Sequence, residues 1–342
     1  MSVMSADQPM ASILIVNWNG FRHLAECLDS LAAQSFRAFE VVLVDNGSTD
    51  GSVSFVRAHY PWVRLVELPA NAGFAGGNNV GLAHCRGAYV VTLNNDTATD
   101  PGWLAELVRV ADENPRAGMV GCRICRYDDP ARLDSLGVTV CIDGNSRGAL
   151  RGARFADLGA PAVLPILLPS ACAALYRKAM LEETGFFDDD FFAYCEDTDL
   201  GLRGRLAGWE ALLATNAVVR HKYSQTGGAV SPFKLRLVER NHYWVALKNF
   251  PVTWLWLLPL TTLLRLGWQV RAFLGGGWRG EASAVSPGAL ALVGAMLAGM
   301  GEALAGAPRM LAKRRRGGRR LPGDELAGLL REYRMGFPEF FG

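Results

Sequence analysis

Strong charge is missing from this chain, and so is any cysteine framework. Its 342 residues carry 35 basic and 33 acidic side chains, a formal net charge of +2. That excess is too small to argue for a nucleic-acid surface, so no nucleic-acid partner is expected. Seven cysteines (Cys27, Cys85, Cys122, Cys125, Cys141, Cys172 and Cys195) make an odd number and lie scattered among apolar segments. They form no disulfide pattern, which fits a reducing cytoplasm. Cys122-Arg123-Ile124-Cys125 is a lone CxxC without a second pair, which argues against zinc or redox chemistry there. A leader is not expected either. Residues 1–10 include Asp7 and Pro9 but no basic stretch, and the apolar run behind them has only the length of a strand. The chain is therefore expected to stay in the cytoplasm.

What is present is a repeated pattern of buried strands ending in polar turns. Ala88-Tyr89-Val90-Val91-Thr92-Leu93 runs directly into Asn94-Asn95-Asp96. A β-branched apolar run of this length reads as a strand of a parallel sheet. A carboxylate at its carboxyl end faces the crevice where open α/β sheets bind ligands. A hard oxygen ligand beside an amide suits a divalent cation that bridges phosphates. Ser12-Ile13-Leu14-Ile15-Val16 likewise runs into Asn17-Trp18-Asn19-Gly20, and Val41-Val42-Leu43-Val44 into Asp45-Asn46-Gly47-Ser48. Leu24, Cys27, Leu28 and Leu31 recur at helical spacing after the first strand, and Asp50 or Ser52 caps a helix after the second. Strands alternating with helices imply right-handed crossovers and a mostly parallel sheet. Three strand ends bearing Asn or Asp then converge on one edge.

The residues that carry this pattern also carry a resemblance. Ile13 to Gly20, Val44 to Gly51, Asn71-Ala72-Gly73-Phe74-Ala75-Gly76-Gly77-Asn78-Asn79, Leu93-Asn94-Asn95-Asp96-Thr97 and Glu196-Asp197-Thr198-Asp199-Leu200 together resemble family 2 glycosyltransferases. The nearest likeness is to the bacterial rhamnosyltransferase-like branch, which builds cell-wall and surface polysaccharides. It covers roughly residues 11 to 250, with five motifs in the family's order and approximate spacing. It implies a GT-A-like nucleotide-binding α/β domain over 11–230, with a donor half at about 11–120 and an acceptor half at about 121–230. Residues 1–10 would be a tail.

The same resemblance assigns chemistry to individual residues. The first strand ends would cradle a pyrimidine nucleotide, with Asn17 and Asn19 at the base edge and Asp45 accepting from the ring N–H. Turn-building by Asp45 through Gly47 and Ser48 is compatible with that role. The glycine-rich segment 71–81, ahead of a helical stretch ending near Arg86, reads as donor-binding through Asn71, Gly73 and Asn78, since glycines admit a ligand to the backbone. Asp96 would ligate the cation with Asn94 close by, although the family usually shows Asp-x-Asp and this chain has Asn first. His221, behind Ala217-Val218-Val219-Arg220, is placed to complete the metal shell or to serve as a structural histidine. Imidazole favours Mn2+ over Mg2+. Asp197 would be the general base of an inverting transfer, with Glu196 and Asp199 orienting the acceptor or bracing the loop. Lys222, Ser224 and Gln225 are weaker candidates for phosphate. Arg147, Arg151 and Arg154 suit an acceptor diphosphate, or are ordinary loop charges.

Past residue 230 the chain changes character. Residues 232–249 read as a helix, and Phe250 to Leu264 is uncharged and holds Trp254 and Trp256, with Arg265, Arg271 and Arg279 interrupting its continuation. Ala282 to Gly301 is uncharged but rich in Gly and Ala, and Lys313-Arg314-Arg315-Arg316 comes after it. A span needs about 20 apolar residues. Trp near a basic cluster suits helices lying on an anionic leaflet, so 231–320 is expected to attach peripherally to the inner face of the membrane, with insertion of 250–301 as the alternative. Residues 321–342 form a tail. The expected activity is transfer of rhamnose or a related hexose from a dTDP- or UDP-sugar to a lipid-linked or glycan acceptor. A degenerate sugar-nucleotide binder is the rival, and a nucleotidyltransferase is disfavoured because Asn17-Trp18-Asn19-Gly20 is not a basic glycine-rich loop. A processive synthase would need several clear spans and a Gln-x-x-Arg-Trp motif, and neither is present.

Overall fold

The computed structural model describes residues 8–222, 231–274, 288–316, 318 and 320–341. The first half alternates strand and helix up to β4: β1 (Ala11–Asn17), α1 (Phe21–Ala32), β2 (Phe39–Asp45), α2 (Ser52–His59), β3 (Arg64–Glu67), α3 (Gly73–Leu82) and β4 (Tyr89–Leu93), after which come the short β5 (Thr97–Thr99) and α4 (Trp103–Glu113). β6 (Ala117–Arg126) follows, then β7 (Leu133–Ser135), β8 (Val138–Val140), β9 (Ser146–Gly148), β10 (Val163–Pro165), β11 (Ala173–Arg177), α5 (Lys178–Thr184), α6 (Glu196–Leu206) and β12 (Glu210–His221). Ten strands form one sheet, in the order β10-β12-β6-β11-β4-β1-β2-β3, with β5 on β12 and β7 on β6.

The expected parallel core is there, with antiparallel insertions. β4, β1, β2 and β3 pair in parallel, and so do β6 and β12. β11 lies antiparallel between β4 and β6. Ile13, Ile15, Val41, Leu43 and Val91 point into one apolar layer with Leu24, Cys27, Leu28 and Leu31 of α1, so the helical spacing read in the sequence is the buried stripe of that helix. In-register pairing of Asn17 with Asp45 brings the first two polar strand ends side by side.

One expectation about local structure is corrected. The glycine-rich segment does not lead into a helix; Gly73 begins one, and α3 contains the glycines. A Cβ on Gly81 would lie 2.2 Å from Leu14 Cδ1, and one on Gly77 2.8 Å from Val16 Cγ1. Their missing side chains let α3 lie flat against β1 and β2. Gly73 has φ +80°, and a Cβ there would meet the Phe192 carbonyl oxygen at 2.4 Å.

The C-terminal region is helical: α7 (Pro232–Asn249), α8 (Val252–Leu255), α9 (Leu258–Leu274), α10 (Ala289–Arg316), α11 (Gly323–Glu332) and α12 (Phe337–Phe341). Ser231 caps α7 by accepting from the Lys234 N–H at 3.1 Å, with Pro232 behind it at the favoured first position. α10 packs on α7 through small residues, since a Cβ on Gly299 or Gly306 would clash with the Arg236 carbonyl or the Trp244 ring, each at 2.5 Å. Its opposite side is apolar and bare: Leu290, Val293, Leu297 and Leu304 are exposed, as are Trp256 between α8 and α9 and Leu260, Leu263 and Leu264 on α9. By length and composition, one helix among the described residues, Leu290–Arg315, could cross a membrane. Arg265 does not interrupt an apolar surface. It is 1% exposed and pairs with Asp143 at 3.0 Å and with Glu239.

Candidate active site

The donor-side strand ends are welded together by their own amides. Asn17 is fully buried; its Nδ2 donates to Asp45 Oδ1 at 3.1 Å and to Ser48 Oγ at 3.2 Å. Its Oδ1 accepts from Asn95 Nδ2 at 2.7 Å. Asp45 Oδ2 accepts from the Ser48 N–H at 2.9 Å, so Asp45 does build the turn. Asn19, exposed at φ 49°, accepts the Thr49 N–H at 2.8 Å, and Asn71 Oδ1 takes hydrogen bonds from Asn46 Nδ2 and from the Gly73 N–H. Asn78 is buried and donates to the Phe74 carbonyl at 2.8 Å, while its Oδ1 has no partner. Asn94 is half-buried beside the crevice. Asn95 and Asn46, which the sequence does not single out, tie strand ends and loops together. Their signal is a second amide in each motif, but which one turns inward depends on the turn after the strand.

The sheet register brings Asp96 and His221 together. β5 pairs antiparallel with the end of β12, Thr97 opposite His221, so the residue before β5 meets the last residue of β12. Asp96 Oδ1 lies 3.4 Å from His221 Nε2, and His221 Nδ1 lies 2.7 Å from Asp134 Oδ2. Arg151 closes the chain by pairing with Asp134 Oδ1 at 3.2 Å. Burial works against ionisation of both groups. For His221 it is outweighed by Cys172, Asp134 and Asp96, which hold the imidazole well above its ordinary range. For Asp96 it is outweighed by the His221 hydrogen bond and charge, with His23 adding, and the carboxyl stays below its ordinary range. Asp134 is the residue that sequence reasoning misses, since nothing in its local sequence marks it.

These residues fit a divalent cation in part. A carboxylate oxygen and an imidazole nitrogen face one another, and Asp134 fixes the ring as carboxylates commonly do behind metal-bound histidines. Among the described residues no group of three or more His, Cys, Asp or Glu side chains surrounds a common point. A cation at this pair would therefore need oxygens from its substrate.

The second acidic group opens α6. Phe192, Tyr194 and Cys195 just before it all have positive φ, at 62°, 70° and 65°, a concentration of unfavourable backbone that marks a constrained turn. Asp197 is half-buried; its Oδ2 accepts from the Ala171 N–H at 3.2 Å, and its Oδ1 from the Thr198 N–H at 2.7 Å. The same segment adjoins the Asn-Asn-Asp turn, because Asn94 N–H donates to the Cys172 carbonyl at 2.8 Å. Glu196 is 6% exposed with Oε2 unpartnered, and burial followed by the charge of Asp197 pushes its carboxyl up to about 8. Burial also raises Asp197, against the backbone donors of Ala171 and Thr198.

Asp199 is different, and it favours one of the two roles expected for it. Fully buried, it accepts from Arg203 Nε and Lys248 Nζ, each at 2.8 Å, and from Asn249 Nδ2 at 2.9 Å. Burial alone would raise its carboxyl; Lys248 and Arg203 hold it well below the usual carboxylate range. With both oxygens engaged, it braces α6 against α7.

The remaining candidates scatter. Lys222 pairs with Glu26 at 2.5 Å, and Arg147 donates to the carbonyls of Glu339 and Phe340. Ser224 and Gln225 lie outside the described residues, as do Arg279 and residues 282–287 of the C-terminal apolar stretch. Of the basic cluster beyond α10's apolar part, Lys313 pairs with Asp188 and Asp190, Arg314 donates to the Leu247 carbonyl, and Arg320 pairs with Glu183.

Similarity to known proteins agrees with this arrangement. A mannosyltransferase from Pyrobaculum calidifontis, solved with GDP-Man and Mn2+, matches at a TM-score of 0.52 and 20% identity, over 91% of this chain and 85% of that one. GalNAc-T7, solved with UDP, GalNAc and Mn2+, matches at a TM-score of 0.58 and 14% identity, over 73% and 49%. These likenesses show the GT-A fold. In sequence, an N-acetylglucosaminyl-diphospho-decaprenol L-rhamnosyltransferase of Mycobacterium tuberculosis is 28% identical over 290 residues, 77% of this chain and 91% of the relative. The family model described as glycosyl transferase family 2 matches residues 12–185, about half of the chain, and with the site assembled at the sheet's carboxyl edge the conclusion is plain: this protein belongs to glycosyl transferase family 2 and is a glycosyltransferase.

Proposed function

We propose that the protein performs an inverting transfer of rhamnose or a related hexose from a dTDP- or UDP-sugar to a lipid-linked or polysaccharide acceptor, in cell-envelope glycan synthesis. The observation that carries this reading is the pairing of two unlike acidic centres along one crevice: Asp96 beside His221, and Asp197 hydrogen-bonded to Ala171 of the segment that abuts Asn94. Asp197 is the group that takes the acceptor's proton as its oxygen attacks the sugar. It is half-buried, held by two N–H donors, and next to a carboxyl that keeps its own proton near neutrality. Two carboxylates so close resist double ionisation, so the negative charge of the pair concentrates on the better-solvated Asp197. The rhamnosyl specificity rests on the mycobacterial relative, whose name gives both the sugar and a decaprenol-linked acceptor.

A divalent cation, Mn2+ or Mg2+, held by Asp96 with His221, would supply charge neutralisation for the departing diphosphate. In this reading residues 11–120 hold the donor and 121–230 the acceptor. The bare apolar faces of α8, α9 and α10 lie on the inner leaflet of the cytoplasmic membrane, where an exposed patch of this kind is stable.

The test is a thermal-shift panel of dTDP, UDP, GDP and CMP, each with and without Mn2+, on wild type and Asp96→Ala. A ligand selective for the folded state stabilises it by about 2.7 kcal/mol at a hundredfold excess over its Kd. A shift for one pyrimidine diphosphate, dependent on Mn2+ and absent in Asp96→Ala, is the expected result. Equal shifts in both proteins, or none with any nucleotide, would overturn the donor assignment.

A further inference from the structure

A cavity of about 550 Å3 opens on the other face of β12, away from the crevice that holds Asp96 and His221. Arg123, Arg154 and Arg220 line it, with Asp100, Cys125 and Phe155. Strand alternation explains its separation from the crevice. His221 turns toward Asp96, so Arg220 and Val218 turn the opposite way. On the neighbouring strand Val218 pairs with Arg123 and Arg220 with Cys125, which sets the two arginines diagonally on one face. Arg154 reaches the cavity from the segment opposite, and the Arg123 guanidinium rests 4.1 Å above the Phe155 ring.

None of the three guanidinium groups is ion-paired among the described residues. Arg123 Nε and Arg220 Nε are moreover buried without any hydrogen-bond partner. Buried donors are rarely left unmet. An Nε without a hydrogen bond also occurs at Arg205 and Arg265, so ion pairing is what sets the cavity apart: Arg265 faces Asp143 and Glu239, and Arg203 faces Asp199. Three guanidinium groups against the single Asp100 carboxylate leave two positive charges around one opening. A carboxylate ligand would neutralise half of that; a phosphoryl dianion matches it and suits the planar donor forks.

We propose that the cavity walled by Arg123, Arg154 and Arg220 is a binding site for a phosphate or diphosphate group, separate from the donor crevice. It does not depend on the reading of Asp96, His221 or Asp197. A phosphoryl group of this kind belongs either to a soluble small molecule or to a lipid headgroup, and the two sources are separable by experiment.

Sodium pyrophosphate is titrated calorimetrically into the full-length protein in EDTA, which removes any cation-mediated binding at Asp96. Wild type and Asp96→Ala are expected to bind alike. Arg154→Gln, at an exposed position with no ion pair to lose, is expected to weaken binding by about tenfold, one lost charged hydrogen-bonding group. The double variant Arg123→Gln/Arg154→Gln is expected to abolish it, and Arg154→Lys to restore part of it. Absence of binding in wild type overturns the proposal, as does binding that is lost in Asp96→Ala, or that Arg154→Gln leaves intact. Flotation with phosphatidylcholine vesicles, with and without phosphatidic acid, then identifies the source. Arg154-dependent flotation confined to the phosphatidic acid vesicles supports the site on a lipid headgroup. Pyrophosphate binding without such flotation supports it for a soluble phosphate.

Discussion

The donor-side loops and the first turn of α6 both gather polar side chains at the carboxyl edge of one sheet, and they treat them in opposite ways. At the strand ends Asn17, Asp45, Ser48 and Asn95 satisfy one another, and little hydrogen-bonding capacity is left over. At α6 Glu196 has an oxygen with no partner, Asp197 follows a turn of three positive-φ residues, and both carboxyls are pushed upward. The first arrangement is what a cradle needs, because fixed loops present backbone and edges without reorganising. The second is what a proton acceptor needs, since a carboxylate whose lone pairs were all occupied would be a poor base. Asp199, two residues on, shows the cradle's logic inside the reactive turn: it is saturated, and its carboxyl is pulled down.

This contrast can be broken in graded steps. Asp197→Asn keeps the shape of the side chain and removes the base, so the rate of sugar transfer should fall by about 10^3-fold with little change in melting temperature. Transfer at the wild-type rate would remove Asp197 from the chemistry. Asp199→Ala takes one acceptor from Lys248, Arg203 and Asn249 and leaves Lys248 to Asp188 alone; stability should drop by about 3 kcal/mol in denaturant titration, and no measurable loss would mean the brace is dispensable. Asn17→Ala leaves Asp45 and Asn95 short of partners and should destabilise by about 1–3 kcal/mol, while weakening nucleotide binding indirectly through the loops. The last test is a matter of pH. Glu196 binds a proton on folding between the ordinary carboxylate range and about 8, so its contribution to stability falls as pH climbs through that window. Glu196→Gln should therefore flatten the decline, so that the variant gains on wild type as pH rises to 9 in melts run across that range. Parallel pH profiles for the two proteins would show that Glu196 does not titrate as its burial implies.

The fold is legible in the sequence wherever burial imposes a simple period. The apolar runs at 12–16, 41–44 and 88–93 are central strands, and the stripe Leu24–Cys27–Leu28–Leu31 is the inward face of α1. Legibility ends where a side chain's job depends on a distant partner. Asp134 reaches His221 across 87 positions, and Asn95 rather than its neighbour reaches Asn17, because the turn after β4 decides which amide points inward. The glycines of 73–81 have the composition of a ligand loop, yet Gly77 and Gly81 are spaced as a helix needs to lie against β1 and β2. Arg265 reads as an interruption of an apolar surface, and only its contact with Asp143 shows that it belongs to the interior.

The Arg265–Asp143 contact bears on how the molecule can be divided. Three buried anions of the first 230 residues draw cations from beyond them: Asp143 from Arg265 of α9, Asp188 from Lys248 of α7, and Asp199 from Lys248 in addition to its own helix's Arg203. Asp143 lies three residues before Ser146, whose hydroxyl is 2.7 Å from that of Thr198, the residue next to Asp197. A gene truncated after β12 would retain every motif of the family and yet encode carboxylates stranded in an apolar interior. Its modularity is that of the alignment and not of the chain, and selection on the C-terminal helices is at the same time selection on the turn that opens α6.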